Sequence, residues 1–272
     1  MTPRATPRKQ RRSPKVVILC GGMGTRLREE TEYRPKPMVE IGGRPMLWHI
    51  MKLYAASGFT DFVLCLWYKG EVVKHYFLNY QALHSDCTIE LGAPQRLQFH
   101  GNHLEHGWRV TLADTGAAAM TGSRVKRIEP YVDGDEFLLT YGDGVADVNI
   151  RDVLTFHRRH GKVGTVVGVR PPSRFGELVA ERNAVLEFRE KPQASQGFIN
   201  GGFFVFSRRF FKHLSADENC VLEQEPLERL AREGQMMMYP HKGFWQCMDT
   251  PRDMRLLETL WAGGRAPWKV WA

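Results

Sequence analysis

Residues 15–20 read KVVILC, an unbroken apolar run rich in β-branched side chains, and the chain then enters Gly21-Gly22-Met23-Gly24. A run without polar alternation is buried on both faces, as the inner strands of a parallel sheet are. The glycines that follow permit positive φ and bring backbone N–H groups close to an anion. Two well-known phosphate loops fail by position. A dinucleotide fingerprint begun at Gly22 has its second glycine at 24 but needs a third at 27, where Leu27 stands, and no GxxxxGK[ST] occurs. The loop instead leads into Arg26, and Lys36 follows ten residues later in RPKPM. Two fixed cations beside one backbone cradle suit a triphosphate whose pyrophosphate departs.

The remaining pattern supplies the frame for that loop. PMLWHIMKLYAAS (45–57) predicts a helix with proline in its first turn and Gly58 at its end. DFVLCLWY, the helical stretch GEVVKHYFLNYQAL, and EFLLTYGDG (136–144) continue a β, α, β alternation. CTIEL, RLQFH and WRVTL (87–112) predict a hairpin excursion from it. The second half reads as a helix at about 150–160, then strands in TVVGV, ELVAE, AVLEFRE and INGGFFVF, then two helices. The first of these is EQEPLERLAREG, and the second opens with Thr250 as N-cap and Pro251 at its first position. With no repeat and no long linker, the expected fold is α/β: a mixed, mostly parallel sheet flanked by helices, with small β-hairpin insertions, in a single domain over 15–272.

Composition limits the function classes. At 272 residues, 43% hydrophobic and 25% charged, the chain can bury a sizeable core and is not disordered overall. No apolar run approaches the roughly 18–20 residues that span a bilayer, and residues 1–15 lack the apolar stretch of a secretory signal, so the expectation is a cytoplasmic protein without membrane contact. The five cysteines are scattered and unpaired in sequence, and read as buried thiols. Residues 1–15 hold Arg4, Arg8, Lys9, Arg11, Arg12 and Lys15 and no acid, which accounts for six of the net +8 charges and leaves +2 for the body. Residues 1–14 therefore read as a disordered basic tail, and no specific nucleic-acid partner is expected; a nonspecific polyanion contact through the tail is the lesser reading.

GGMGTRL, KPMVEIGGRPMLWHIM, YGDGVAD, EKP, INGGFFV and GFWQCMDTPRD together resemble the sugar nucleotidyltransferases. The resemblance runs from Lys15 to the closing APWKVW and implies a Rossmann-like nucleotidyltransferase fold. MTGSR (120–124), GFWQCMDT and APWKVW narrow it towards the cytidylyltransferases that act on glucose 1-phosphate; the QPxGLAxA segment of uridylyl and thymidylyl relatives is replaced by DTGAAAMTGSR. The implied reaction is a Mg²⁺-dependent attack of the sugar phosphate oxygen on the α-phosphorus of CTP. The nucleophile is already an anion, so alignment and charge neutralisation carry the catalysis.

The same resemblance distributes the roles. Leu19, Gly21, Gly22, Met23, Gly24 and Thr25 would cradle the nucleotide, and Arg26 and Lys36 would neutralise its β and γ phosphates. Asp143 and Asp249, each following an apolar segment at the expected carboxyl edge of the sheet, would hold the Mg²⁺; taken singly, each also reads as a turn or capping aspartate. Gly142 would border both substrates, and Lys191 would hold the sugar phosphate. Glu190, Asn200 and Gly201 would read the sugar, although a β-bulge explains Gly201 and Gly202 almost as well. Thr121 and Arg124 are the candidates for the base neighbourhood, against a helix-capping loop with Arg124 on the surface. His100, His103 and His106 do not have a convincing metal spacing, and Trp48, Tyr54, Trp67, Tyr68, Tyr76 and Phe77 read as core rather than a stacking platform. The resemblance also implies a homo-oligomer, a hexamer. The alternatives are another base, UTP or dTTP, another sugar 1-phosphate, or a nonenzymatic nucleotide-sugar sensor.

Overall fold

The computed structural model describes residues 13–22, 24–92, 96–101, 103–171, 177–181, 184–189 and 197–271. Met23, Glu190, Lys191 and most of the basic tail, residues 1–12, lie outside the described residues. Pro14 is already buried, so the folded body starts one residue before the predicted Lys15.

Seven strands form the central sheet: β1 (Lys15–Leu19), β2 (Asp61–Leu66), β3 (Arg109–Asp114), β4 (Glu136–Tyr141), β5 (Gly164–Val169), β6 (Ile199–Ser207) and β7 (Met236–Pro240). Their order is β7-β5-β6-β4-β1-β2-β3. β1 pairs in parallel with β2 and β4, β2 with β3, and β5 with β7, while β6 runs antiparallel to both β4 and β5. The mixed, mostly parallel sheet expected from the sequence is thus present. Alternate side chains of β1 enter opposite cores: Val16 and Ile18 join one apolar cluster, Val17 and Leu19 the other.

The first core packs under α1 (Met46–Ala56), which contributes Met46, Leu47, Ile50, Met51, Leu53 and Tyr54. The second packs under α3 (Thr121–Arg127) and α5 (Glu225–Arg232) through Val125 and Leu230. Between them in sequence lie α2 (Gly70–Leu78) and α4 (Ile150–His160), the latter N-capped by the Asn149 side chain. The last helix, α6 (Pro251–Ala262), has Thr250 as N-cap and Pro251 at its first position, as its Thr-Pro start predicts, and Asp253 completes a full capping box. Beyond it, Trp261, Trp268 and Trp271 gather around His49 of α1, with Trp268 1% exposed. That clasp ties the segment after α6 to α1.

Three local readings need correction. WRVTL is not part of the hairpin: only Asp86–Glu90 and Arg96–His100 pair antiparallel, while Arg109–Asp114 extends the parallel sheet beside β2. The long helix predicted after β2 stops at Leu78 and restarts at Tyr80–His84, with Asn79 at the break. Cys20 and Cys65 are buried, but Cys87 is exposed on the hairpin.

Candidate functional site

The glycine loop leaves the carboxyl end of β1, where Cys20 N–H donates to Cys65 O (3.0 Å) and fixes its take-off against β2. Gly24 has φ +58°, and a Cβ there would lie 2.6 Å from Thr31 Cγ2, so glycine is required. Leu27 N–H (2.8 Å) and the Thr31 hydroxyl (3.0 Å) both donate to Gly24 O and pull the loop into the turn that carries Arg26. Gly22 has nothing within 4 Å of its would-be Cβ and lies open. Leu19 itself is buried, and its carbonyl accepts from Gly142 N–H (3.1 Å).

Lys36 opens a 3₁₀ turn, Lys36–Met38, whose Pro37 rests against the Gly-Asp segment after β4. A Cβ at Gly142 would stand 2.7 Å from Pro37 Cγ and 2.8 Å from Leu19 O, so only glycine lets the turn approach the strand end this closely. Gly144–Ala146 pairs antiparallel with Trp245–Cys247, with Cys247 opposite Gly144, and Met248 N–H donates to Asp143 O (2.8 Å). This two-stranded element brings Asp143 and Asp249 together across 106 residues of sequence. The α6 capping box then fixes Asp249, whose N–H donates to Asp253 Oδ2 (3.1 Å).

The side chains converge as this backbone requires. Lys36 Nζ donates to Asp143 Oδ2 at 2.7 Å and to Asp249 Oδ1 at 2.5 Å, and Arg26 donates to Asp249 Oδ2 at 3.2 Å. The Lys36 side chain is 13% exposed and that of Arg26 71%, so the lysine is the buried pivot and the arginine its exposed outer partner. Burial opposes the charge on Lys36, but Asp143 and Asp249 outweigh it and hold its pKa above the ordinary lysine value. Burial likewise pushes the Asp249 carboxyl up, and Lys36 followed by Arg26 brings it below the ordinary aspartate value. Cys247 lines the same cleft, but burial, then Asp249 and Asp143, push its thiol up to about 12, so it is a neutral wall residue and not a nucleophile.

Thr140, Tyr141, Asn200, Gly201, Gly202 and Trp245 complete the wall. The pairing of β5 with β6 shifts between Val166 and Gly168, so Gly201 and Gly202 sit at a bulge and also line the cleft; both readings hold. Trp245 Nε1 donates to Gly201 O (2.8 Å). Arg124 is not on the surface. It is 2% exposed, donates to Thr115 Oγ1 (2.8 Å), lies over the Trp67 ring at 5.0 Å, and would be met at 3.0 Å by a Cβ on Gly21. Thus it floors the glycine loop. Thr121, at the start of α3, donates to Glu223 Oε2 (2.7 Å).

The nucleotidyl transferase family model matches residues 15–254, nearly the whole of this framework. The chain belongs to the nucleotidyl transferase family. A glucose-1-phosphate cytidylyltransferase of Salmonella typhi is 51% identical over 94% of this chain and 99% of its own length. A probable glucose-1-phosphate cytidylyltransferase of Bacillus subtilis is 42% identical over 94% of this chain and 100% of its own length. Among solved structures, HddC of Yersinia pseudotuberculosis shares the fold with a TM-score of 0.68 at 21% identity, covering 92% of this chain and 100% of that one.

Within this nucleotidyl transferase, Arg26, Lys36, Asp143 and Asp249 form one cluster, Gly142 underlies it, and Asn200 and Gly201 line the adjoining cleft. Thr25 contributes backbone to the 3₁₀ turn Thr25–Leu27. His100 is bonded to Thr88 on the hairpin (2.8 Å), while His103 stacks on His106 with ring centroids 4.8 Å apart. Trp48 and Tyr54 are core, whereas Trp67 is half-buried beside the loop. The sequence reading missed Tyr141, Trp245 and Glu223. Tyr141 precedes the conspicuous Gly-Asp-Gly and was legible as a neighbour of it; Glu223, within a run of acids and amides before a helix, carries no local signal.

Proposed function

We propose that this nucleotidyl transferase transfers the cytidylyl group of CTP to α-D-glucose 1-phosphate, giving CDP-glucose and pyrophosphate. The convergence of Lys36, Asp143, Asp249 and Arg26 beside an open glycine loop carries the chemistry, and the names of the two relatives with the highest identities given above support the substrates. The sugar phosphate oxygen attacks the α-phosphorus in line and pyrophosphate leaves, with no general base needed. Arg26 and Lys36 neutralise charge on the leaving phosphates, and the N–H groups of the loop orient them. Asn200 offers both a donor and an acceptor to sugar hydroxyls, and Glu190 and Lys191 join the sugar side by resemblance.

Two carboxylates whose oxygens already converge on one cationic atom are a donor set suited to a hard divalent cation. Asp143 and Asp249 would hold Mg²⁺, which supplies charge neutralisation at the phosphates when bound. Thr121 and Arg124 frame the base side. Residues 15–272 act as one domain, supported by the continuous seven-stranded sheet. Among the described residues no helix is long and apolar enough to cross a membrane, and a cytoplasmic enzyme fits its nucleotide substrates. A homo-oligomer, a hexamer by resemblance, is supported by exposed apolar side chains along one stretch, including Leu78, Leu91 and Leu104.

The test is pyrophosphate release with Mg²⁺ across CTP, UTP, dTTP, GTP and ATP, each paired with glucose 1-phosphate and two other sugar 1-phosphates. Turnover confined largely to CTP with glucose 1-phosphate is expected. Preference for another pair overturns the substrate assignment, and silence of folded protein with every pair overturns the transferase reading in favour of a sensor.

A further inference from the structure

The Glu223 carboxylate lies two residues before α5, next to the helix N-cap Gln224. One oxygen accepts from a residue that lines the cleft and the other from the first residue of α3. Oε2 accepts from the Thr121 hydroxyl (2.7 Å) and Oε1 from the Tyr141 hydroxyl (2.5 Å). Each donor belongs to a different side of the site. Thr121 opens α3, the helix that sends Arg124 beneath the glycine loop, and its own oxygen accepts from Leu222 N–H (2.9 Å). Tyr141 ends β4 beside Leu19 and lines the cleft; its hydroxyl also accepts from Asn200 Nδ2 (3.3 Å), while Asn200 Oδ1 accepts from Gly202 N–H (2.8 Å). The Asn200 amide is thereby oriented with its oxygen on the backbone and its nitrogen on the phenol.

We propose that Glu223 is a positioning residue that sets the two sides of the cleft in one register: Thr121 on the nucleotide side, and Tyr141 with Asn200 on the sugar side. This deepens the transferase reading and rests on it. An in-line displacement needs both reactants held in a single mutual orientation, and one carboxylate that accepts from both walls is a direct way to fix it. The bonds are partly exposed, so their loss shifts recognition rather than unfolding the chain.

The test is steady-state kinetics of the full chain with CTP, glucose 1-phosphate and Mg²⁺, with thermal melting in parallel. Tyr141→Phe cuts the sugar arm and should raise the KM for glucose 1-phosphate about fivefold while leaving that for CTP within twofold; Thr121→Val should do the converse. Glu223→Ala should raise both. The double variant Glu223→Ala/Tyr141→Phe should be no worse for the sugar than Glu223→Ala alone, because one linkage is removed twice. Glu223→Gln, which keeps the shape and one acceptor, should recover at least half of the affinity lost. Unchanged KM values in Glu223→Ala, with or without a lower melting temperature, overturn the proposal, and so do effects that simply multiply in the double variant. A wild-type chain silent with every substrate pair overturns the transferase reading itself and this proposal with it.

Discussion

The two ends of the cleft are built by different means. At the phosphate end, Asp143 and Asp249 are placed by backbone: a two-stranded pairing, a glycine against a proline, and a helix capping box. At the proposed recognition end, Thr121, Tyr141 and Asn200 stand on α3, β4 and β6, and their side chains are oriented by hydrogen bonds that run through Glu223 and the Tyr141 hydroxyl. Charges held by two-strand pairing and a helix cap cannot shift without moving backbone, whereas side chains oriented by hydrogen bonds can be changed one at a time while the carboxylate pair stays in place. The lesson is that substitutions at the first end should stop turnover, and those at the second should change substrate preference.

The sharpest way to break this contrast is Asp143→Asn, which removes a charge with little change of shape. Turnover should fall on the order of 10³-fold while circular dichroism stays native; wild-type turnover would remove the phosphate end from the mechanism. Acid should act on the scaffold before the site. Burial pushes His49, against the Ile41 carbonyl, down to about 4 from an ordinary 6.5, and does the same to His157. Between these values the unfolded chain takes up a proton that the folded chain refuses. Stability is therefore full above pH 6.5 and is lost as the pH falls towards 4, by up to about 3 kcal/mol for each histidine. Melting temperature against pH checks this, and His157→Gln should flatten the profile.

A smaller effect is expected of Gly142→Ala. Its Cβ would meet Leu19 O, a backbone atom that cannot swing aside, so about 1–3 kcal/mol of stability should be lost, with turnover falling further than either KM rises. The smallest is Thr250→Ala, which removes the N-cap of α6 and should cost about 1 kcal/mol. If the phosphate end is as backbone-determined as described, this change will lower kcat through Asp249 and leave substrate preference untouched; a change in base preference would blur the two ends into one.

Legibility in the sequence follows the same division. KVVILC and the Thr250-Pro251 helix start are local signals, and each produced the element it predicts. The pair Asp143 and Asp249 was assigned through the family resemblance, since taken singly each also reads as a turn or capping aspartate. Features decided by distant partners were not legible. Arg109–Asp114 reads as one more short strand after two that form a hairpin, and only its pairing with β2 sets it in the main sheet. Arg124 is a cation in a polar stretch, and nothing nearby announces that Trp67, Thr115 and the glycine loop enclose it. Glu223 depends on two donors 102 and 82 residues away.

The ion pair between Lys36 and Asp249 joins positions 213 residues apart. During synthesis the amino-terminal strands and the glycine loop emerge first, and the second carboxylate arrives 213 residues after the lysine. Lys36 must wait with Asp143 as its sole partner, and the tryptophan clasp closes later still. A chain cut before Asp249 therefore keeps the glycine loop and Lys36 but lacks the second carboxylate of the charge cluster.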